Sequence, residues 1–190
     1  MKGLVLAGGQ SSRMKQEKAS LLVDGQPLHL LISEALKSVC GEVFVSARPN
    51  SNFLSSIQLP VLFDEIENIG PASALLAASN QDSSCTWFVV ACDFPLIKKE
   101  TLQTLLEVHT SFNSPPEITC YVHPDGTPEP LLAIWTPSAL ERLRVNVTKG
   151  LQGPRATLQQ SRAELVKPLD PRWLVNVNTP EEWESVNASK

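Results

Sequence analysis

The stretch Leu6-Ala7-Gly8-Gly9-Gln10-Ser11-Ser12-Arg13-Met14, followed four positions later by Lys18, sets two glycines and two basic side chains directly behind the first aliphatic run of the chain. Glycines let backbone N–H groups approach an anion and cationic side chains neutralise it, so a strand that feeds such a loop is a common phosphate cradle in α/β proteins. The loop lacks both the G-x-x-x-x-G-K-[ST] and the G-x-G-x-x-G spacing, so neither the P-loop nor the dinucleotide fingerprint accounts for it. A second chemical residue, Asp93, closes the apolar run Trp87 to Cys92. At the carboxyl end of a buried strand an aspartate is displayed towards ligands, where it can hold a divalent cation or cap the following turn. Asp64 ends the run Pro60 to Phe63, where an aspartate is common turn chemistry. Asn176 and Asn178 come just before the proline that opens the last helix.

The elements that must position these residues alternate along the chain. Lys2 to Ala7 reads as a buried parallel strand, and Leu28, Leu31, Ile32, Ala35, Leu36 and Val39 recur at helical spacing behind Pro27. Glu42 to Ala47 and Pro60 to Phe63 read as strands, Ala72 to Ala78 as a helix begun by Gly70-Pro71, residues 87–93 as a strand and 98–110 as an amphipathic helix. This repeated order predicts an α/β fold with a doubly wound, mainly parallel sheet and helices on both faces. Beyond residue 110 the pattern is less regular. Strands are expected at Glu117 to Val122 and Pro130 to Trp135 around the Asp125-Gly126 turn, with helices near 137–145 and 155–160. A strand at Trp173 to Val177 and a final helix capped by Thr179 and opened by Pro180 complete the reading.

Composition narrows the function classes. A chain of 190 residues with 42% hydrophobic and 19% charged residues can bury a substantial core as one domain and is unlike a disordered protein. A net charge of -4 without a Lys/Arg run argues against a nucleic-acid surface but leaves room for a local basic pocket, so a phosphate partner should be small. Cys40, Cys85, Cys92 and Cys120 form no C-x-x-C pair and sit mostly among aliphatic residues, which reads as inert. His29, His109 and His123 share no spacing with an acid or cysteine that would make a triad or zinc site, and read as surface or helix positions. With no signal-like segment and no apolar run of membrane-spanning length, a cytoplasmic protein without membrane or nucleic-acid partners is expected.

The spacing L-A-G-G-x-S-x-R-M with its following lysine resembles the nucleotidyltransferase signature of the molybdenum cofactor guanylyltransferase family. "NIGPASALLAA", "VVACDFPLI", "EPLLAIW" and "LVNVNTPEEW" resemble further segments of that family in the same order, so the likeness spans nearly the whole chain. It implies a nucleotide-diphospho-sugar transferase-like domain over residues 1–190, with a nucleotide-binding half to about 110 and an acceptor lobe beyond. It also implies Mg2+-dependent transfer of GMP from GTP to the phosphate of molybdopterin or its metal-loaded form, with release of pyrophosphate. Other cofactor-biosynthesis proteins or acceptor apoenzymes are implied partners. Carried over residue by residue, Leu6, Ala7, Gly8, Gly9 and Asp64 would contact the nucleotide. Arg13 and Lys18 would hold the triphosphate, Asp93 the metal, and Asn176 and Asn178 the acceptor phosphate. The second glycine of Leu6-Ala7-Gly8-Gly9, where cytidylyl-transferring relatives tend to carry alanine, favours guanine; CTP-dependent transfer and a non-catalytic nucleotide or cofactor carrier are the alternatives. The sequence departs from the family pattern at Lys15, Glu17, Ser46 and Ala74.

Overall fold

The computed structural model describes residues 1–8, 17–64, 66, 69–151 and 153–188. Gly9 and Arg13 lie outside the described residues, as does Lys15. In chain order the elements are β1 (Lys2–Leu6), β2 (Leu22–Val23), β3 (Gln26–Pro27), α1 (Leu28–Lys37), β4 (Glu42–Ala47), β5 (Val61–Phe63), α2 (Pro71–Gln81), β6 (Trp87–Ala91) and α3 (Lys99–Ser111). They continue with β7 (Ile118–Val122), β8 (Pro128–Trp135), α4 (Pro137–Thr148), α5 (Pro154–Gln159), β9 (Ala163–Val166) and α6 (Pro180–Ala188). A seven-stranded sheet runs β5-β4-β1-β6-β8-β7-β9, and β2 and β3 form a separate hairpin. Strands β5, β4, β1 and β6 pair in parallel, β8 is antiparallel to both its neighbours, and β9 returns parallel to β7. The expected α/β, mainly parallel, doubly wound architecture is what forms.

Both sheet faces are covered, which is why the first strands read as continuous apolar runs rather than as alternating ones. Side chains alternate across the sheet. Val5, Val45, Phe88 and Val90 pack with Leu28, Ile32 and Leu36 of α1 and with Leu102 and Leu105 of α3. Leu4, Phe44, Trp87 and Val89 point the other way, into a core shared with Leu75 of α2, Leu140 and Leu143 of α4 and Leu158 of α5. Helix α2 starts where Gly70 takes φ 60°, a left-handed value suited to glycine, and Pro71 fills the first helical position.

One expectation needs correction, and one strand escapes the sequence reading. Residues 173–177 are not a strand: Pro171–Leu174 makes a 3-10 turn, because Asp170 accepts the Arg172 amide at 3.0 Å and Pro171 fixes the first position. Trp173 is buried there, edge-on to Tyr121 at 6.1 Å between ring centroids. The last sheet strand is instead β9, whose four residues Ala163–Val166 are too short and too mixed in polarity to show a period. His29 and His109 are helix residues, as expected, and both are buried. His29 Nδ1 lies 2.7 Å from the Ala19 carbonyl oxygen, and His109 Nδ1 lies 2.9 Å from Thr119 Oγ1.

Candidate active site

The carboxyl ends of β1, β4, β5 and β6 open onto one cleft of about 910 Å3, within the range that holds a nucleotide-sized ligand. Leu6, Ala7, Gly8, Lys18, Asp64 and Asp93 all line it. An open parallel sheet presents its binding groups at this edge because loops leave the strand ends there with no neighbour to cover them.

At one end of the cleft is Asp93, two residues past β6. Its backbone carbonyl accepts the Val177 amide at 2.8 Å, which draws the segment before α6 across the strand end. The result brings Asn178 to Lys18, whose ammonium donates to Asn178 Oδ1 at 2.7 Å. Asn178 is held from behind by a capping box. Its amide and that of Thr179 donate to Glu182 Oε2 at 2.6 and 3.2 Å, and the Glu182 amide donates to Thr179 Oγ1 at 3.3 Å. Asp93 is half-buried, and its Oδ1 is shut off from solvent with no hydrogen-bond partner among the described residues. Burial therefore pushes its carboxyl up to about 6, the Lys18 charge opposes the rise, and the nearby Glu129 adds to it. A sealed anionic oxygen without a donor is a place that a cation fits. Among the described residues no cluster of three or more acidic, histidine or cysteine side chains is placed to hold a metal. The candidate metal donor among the described residues is thus the single Asp93 carboxylate.

At the other end Ser46 Oγ donates to Asp64 Oδ1 at 2.7 Å. Burial raises the Asp64 carboxyl, while the Ser46 hydroxyl and the charge of Arg48 pull it back down. The need for glycine at position 8 is explained here. A β-carbon on Gly8 would sit 2.8 Å from Asp64 Oδ2, so the carboxylate would have to shift to admit one. Between the two ends, the Ala7 amide donates to the Ser46 carbonyl at 2.9 Å and the Leu6 carbonyl accepts the Cys92 amide at 3.0 Å, so two backbone groups of this stretch are already engaged.

Of the residues singled out from sequence, Lys18, Asp93 and Asn178 come together at one end, and Gly8 and Asp64 at the other. Asn176 is exposed, and its side chain makes no hydrogen bond among the described residues. Sequence reasoning missed Arg48 and Glu129. Arg48 follows β4 within a Pro/Asn/Ser-rich segment that reads as an ordinary loop. Glu129 sits inside an apolar strand, where its Oε1 accepts the Leu131 amide at 3.1 Å and its Oε2 faces His123 Nε2 at 3.4 Å. Glu17, noted as a departure, proves to be a clasp: its Oε2 accepts the Asn52 amide at 2.9 Å and so ties the residue before Lys18 to the segment after β4. The four cysteines are free thiols, and burial raises Cys92 beside Asp93 far above its ordinary value, which keeps it protonated.

A mainly parallel sheet whose strand ends frame a cleft lined, among the described residues, by the basic Lys18 and Arg48 and the acidic Glu17, Asp64 and Asp93 is the layout of a ligand-binding α/β domain. Residues 3–165 match the family model of the MobA-like NTP transferase domain. The chain belongs to that family, and so to the nucleotidyltransferases. A molybdenum cofactor biosynthesis bifunctional protein of Synechocystis is 34% identical over 187 residues, 97% of this chain and 53% of that one; the chain thus spans about half the length of that relative. A probable molybdenum cofactor guanylyltransferase of Mycobacterium avium is 31% identical over 93% of this chain and 90% of its own. The crystal structure of molybdopterin-guanine dinucleotide biosynthesis protein A from Archaeoglobus fulgidus superposes with a TM-score of 0.80 at 22% identity. It covers 100% of this chain and 98% of that one, and supports the fold. Among the described residues no helix is long and apolar enough to cross a membrane.

Proposed function

We propose that this protein transfers GMP from GTP to the terminal phosphate of molybdopterin, in a single domain whose first 110 residues hold the nucleotide and whose remainder forms the acceptor lobe. The observation that carries the reading is the meeting of Lys18, Asn178 and an Asp93 oxygen without a partner among the described residues at one strand-end edge, in a chain of this family. The acceptor phosphate attacks the α-phosphorus and pyrophosphate leaves, so the chain needs no nucleophile of its own. Its task is to hold two anions in contact and to neutralise charge as the leaving group departs. Asp93 would hold Mg2+, which when bound supplies Lewis-acid neutralisation of the phosphate oxygens. Lys18 holds the triphosphate and stabilises the leaving pyrophosphate, a role shared with Arg13. Asn178, oriented by Glu182, steers the Lys18 ammonium and faces the acceptor phosphate together with Asn176. Asp64 takes the donors of the base, with Leu6, Ala7 and Gly8 forming the floor and Gly9 as a further nucleotide contact. A site of this kind works in the cytoplasm, with the molybdopterin-producing step upstream and cofactor-requiring apoenzymes downstream.

The test is an incubation of purified protein with magnesium, molybdopterin and each nucleoside triphosphate, followed by pyrophosphate detection. Acceptor-dependent pyrophosphate with GTP, at a kcat/KM at least about tenfold above CTP, is the expected outcome. A preference for CTP would move the reading to cytidylyl transfer, and binding without turnover would move it to a carrier.

A further inference from the structure

Arg48 leaves the carboxyl end of β4 and lines the same cleft as Asp64, on the same wall. Its charge acts on the Asp64 carboxylate, yet the two form neither an ion pair nor a hydrogen bond among the described residues. Opposite charges left apart on one cleft wall present an acceptor and a donor to whatever lies between them. The segment that carries Arg48 is fixed. The Ser51 amide donates to the Arg48 carbonyl at 3.1 Å, the Asn52 amide is clasped by Glu17, and Phe53 is buried with its ring 5.3 Å from that of His29. The guanidinium therefore starts from a rigid base, which lowers the entropy cost of its contacts.

The phosphates belong elsewhere. Strands β4 and β6 are separated by β1, and at roughly 4.8 Å per strand Arg48 and Asp93 start about 10 Å apart, a span that a nucleoside bridges. An anionic phosphate beside Asp64 would meet like charge, whereas a carboxylate suits N–H donors. Guanine carries two adjacent donors, N1–H and the 2-amino group, and beside them the acceptors O6 and N7. Adenine and cytosine would turn a lone pair towards the carboxylate. An arginine fork matches O6 and N7 with two parallel hydrogen bonds.

We propose that Arg48 is a specificity-determining residue that donates to O6 and N7 of the guanine whose N1–H and 2-amino donors face Asp64. This rests on the guanylyl-transfer reading and adds to it the residue that reads the second edge of the base. The test pairs an atom with a side chain. Steady-state kcat and KM are measured with GTP, 7-deaza-GTP, which lacks the N7 acceptor, and inosine triphosphate, which lacks the 2-amino donor, for the wild type, Arg48→Met and Arg48→Lys. The wild type should favour GTP over 7-deaza-GTP by about five- to tenfold, carried in KM. Arg48→Met should lower kcat/KM for GTP by about tenfold or more and abolish the GTP over 7-deaza-GTP preference, while the penalty for inosine triphosphate persists. Arg48→Lys should keep part of the preference. An equal loss with all three nucleotides, or an unchanged GTP to 7-deaza-GTP ratio, overturns the assignment to the base edge. So does a wild type that does not distinguish the two nucleotides, whatever the variants do. Absence of any GTP turnover by the wild type would defeat the guanylyl reading itself, and Arg48 as a guanine reader would fall with it.

Discussion

Asp64 and Asp93 both follow the carboxyl end of a strand in one sheet, and both are half-buried with carboxyls raised by burial, yet their surroundings are opposite. Asp64 accepts a neutral hydroxyl and presses against a glycine, so its orientation is set before any ligand arrives. Asp93 keeps one oxygen sealed without a donor and faces the Lys18 charge. On the proposed function the first arrangement would suit the reading of neutral N–H groups, and the second would hold negative charge for a cation. The same residue type at equivalent positions thus does different work according to what the neighbouring loops bring to it.

The sharpest way to break this contrast is Asp93→Asn. It should fold and lose about a thousandfold or more in kcat, since the amide keeps the size and removes the charge that Mg2+ needs. The same variant should be more stable than the metal-free wild type at neutral pH, by up to roughly 3 kcal/mol. The sign follows from a folded-state value of about 6 against an unfolded value near 3.8. Above about 6 the native state bears a buried carboxylate and pays the full penalty. As pH falls from 6 towards 4 the native state takes up its proton before the unfolded one, and the penalty disappears. Thermal melts of both proteins in chelator across that range should show the gap closing towards acid. A gap that is constant with pH, or reversed in sign, would show that the Asp93 carboxylate is not penalised by burial.

Next in size is Lys18→Ala, expected to lower kcat by about a hundredfold with little change in melting temperature, because its charge opposes one that grows as pyrophosphate leaves. A melting shift with normal turnover would make the contact to Asn178 purely structural. Asp64→Asn should act differently from both. An amide presents one acceptor and one donor, so KM for GTP should rise by about tenfold while kcat changes little. A fall in kcat with KM unchanged would erase the distinction between the two ends of the cleft.

These groups were not equally legible in the sequence. The half up to α3 announces itself because β1, β4 and β6 are covered on both faces and are soon followed by Gly8, Pro49 and Asp93 respectively, so run length and punctuation coincide. The second half hides β9, a four-residue strand at the sheet edge, and disguises residues 173–177 as a strand, since Trp173, Val175 and Val177 carry strand propensity while Asp170 and Pro171 impose a turn. Asp93 and Lys18 could be found from a strand end and a loop. Arg48 and Glu129 could not, because what matters about them is which cleft wall they face and what lies beside them, which only the sheet order decides. Nor could the reason for Gly8 be read: the atom it makes room for is 56 positions away on Asp64.

The smallest expected effect concerns how the Asp93 end is kept in place. Glu182 Oε2 takes the amides of Asn178 and Thr179 at the start of α6, and Asn178 in turn receives the Lys18 ammonium. Glu182→Ala leaves two helix-terminal amides to water and should cost about 1 kcal/mol in denaturant melts, the usual size of a lost cap. Through Asn178 it should also loosen Lys18, so that kcat falls by roughly two- to fivefold while KM for GTP stays put. Glu182→Gln, which retains an acceptor, should recover much of the stability and much of the rate together. A rate unaffected by Glu182→Ala would mean that Lys18 is positioned without Asn178. A rise in KM for GTP instead would show that the two ends of the cleft are coupled through α6 and are not built independently, as the opposite settings of Asp64 and Asp93 require.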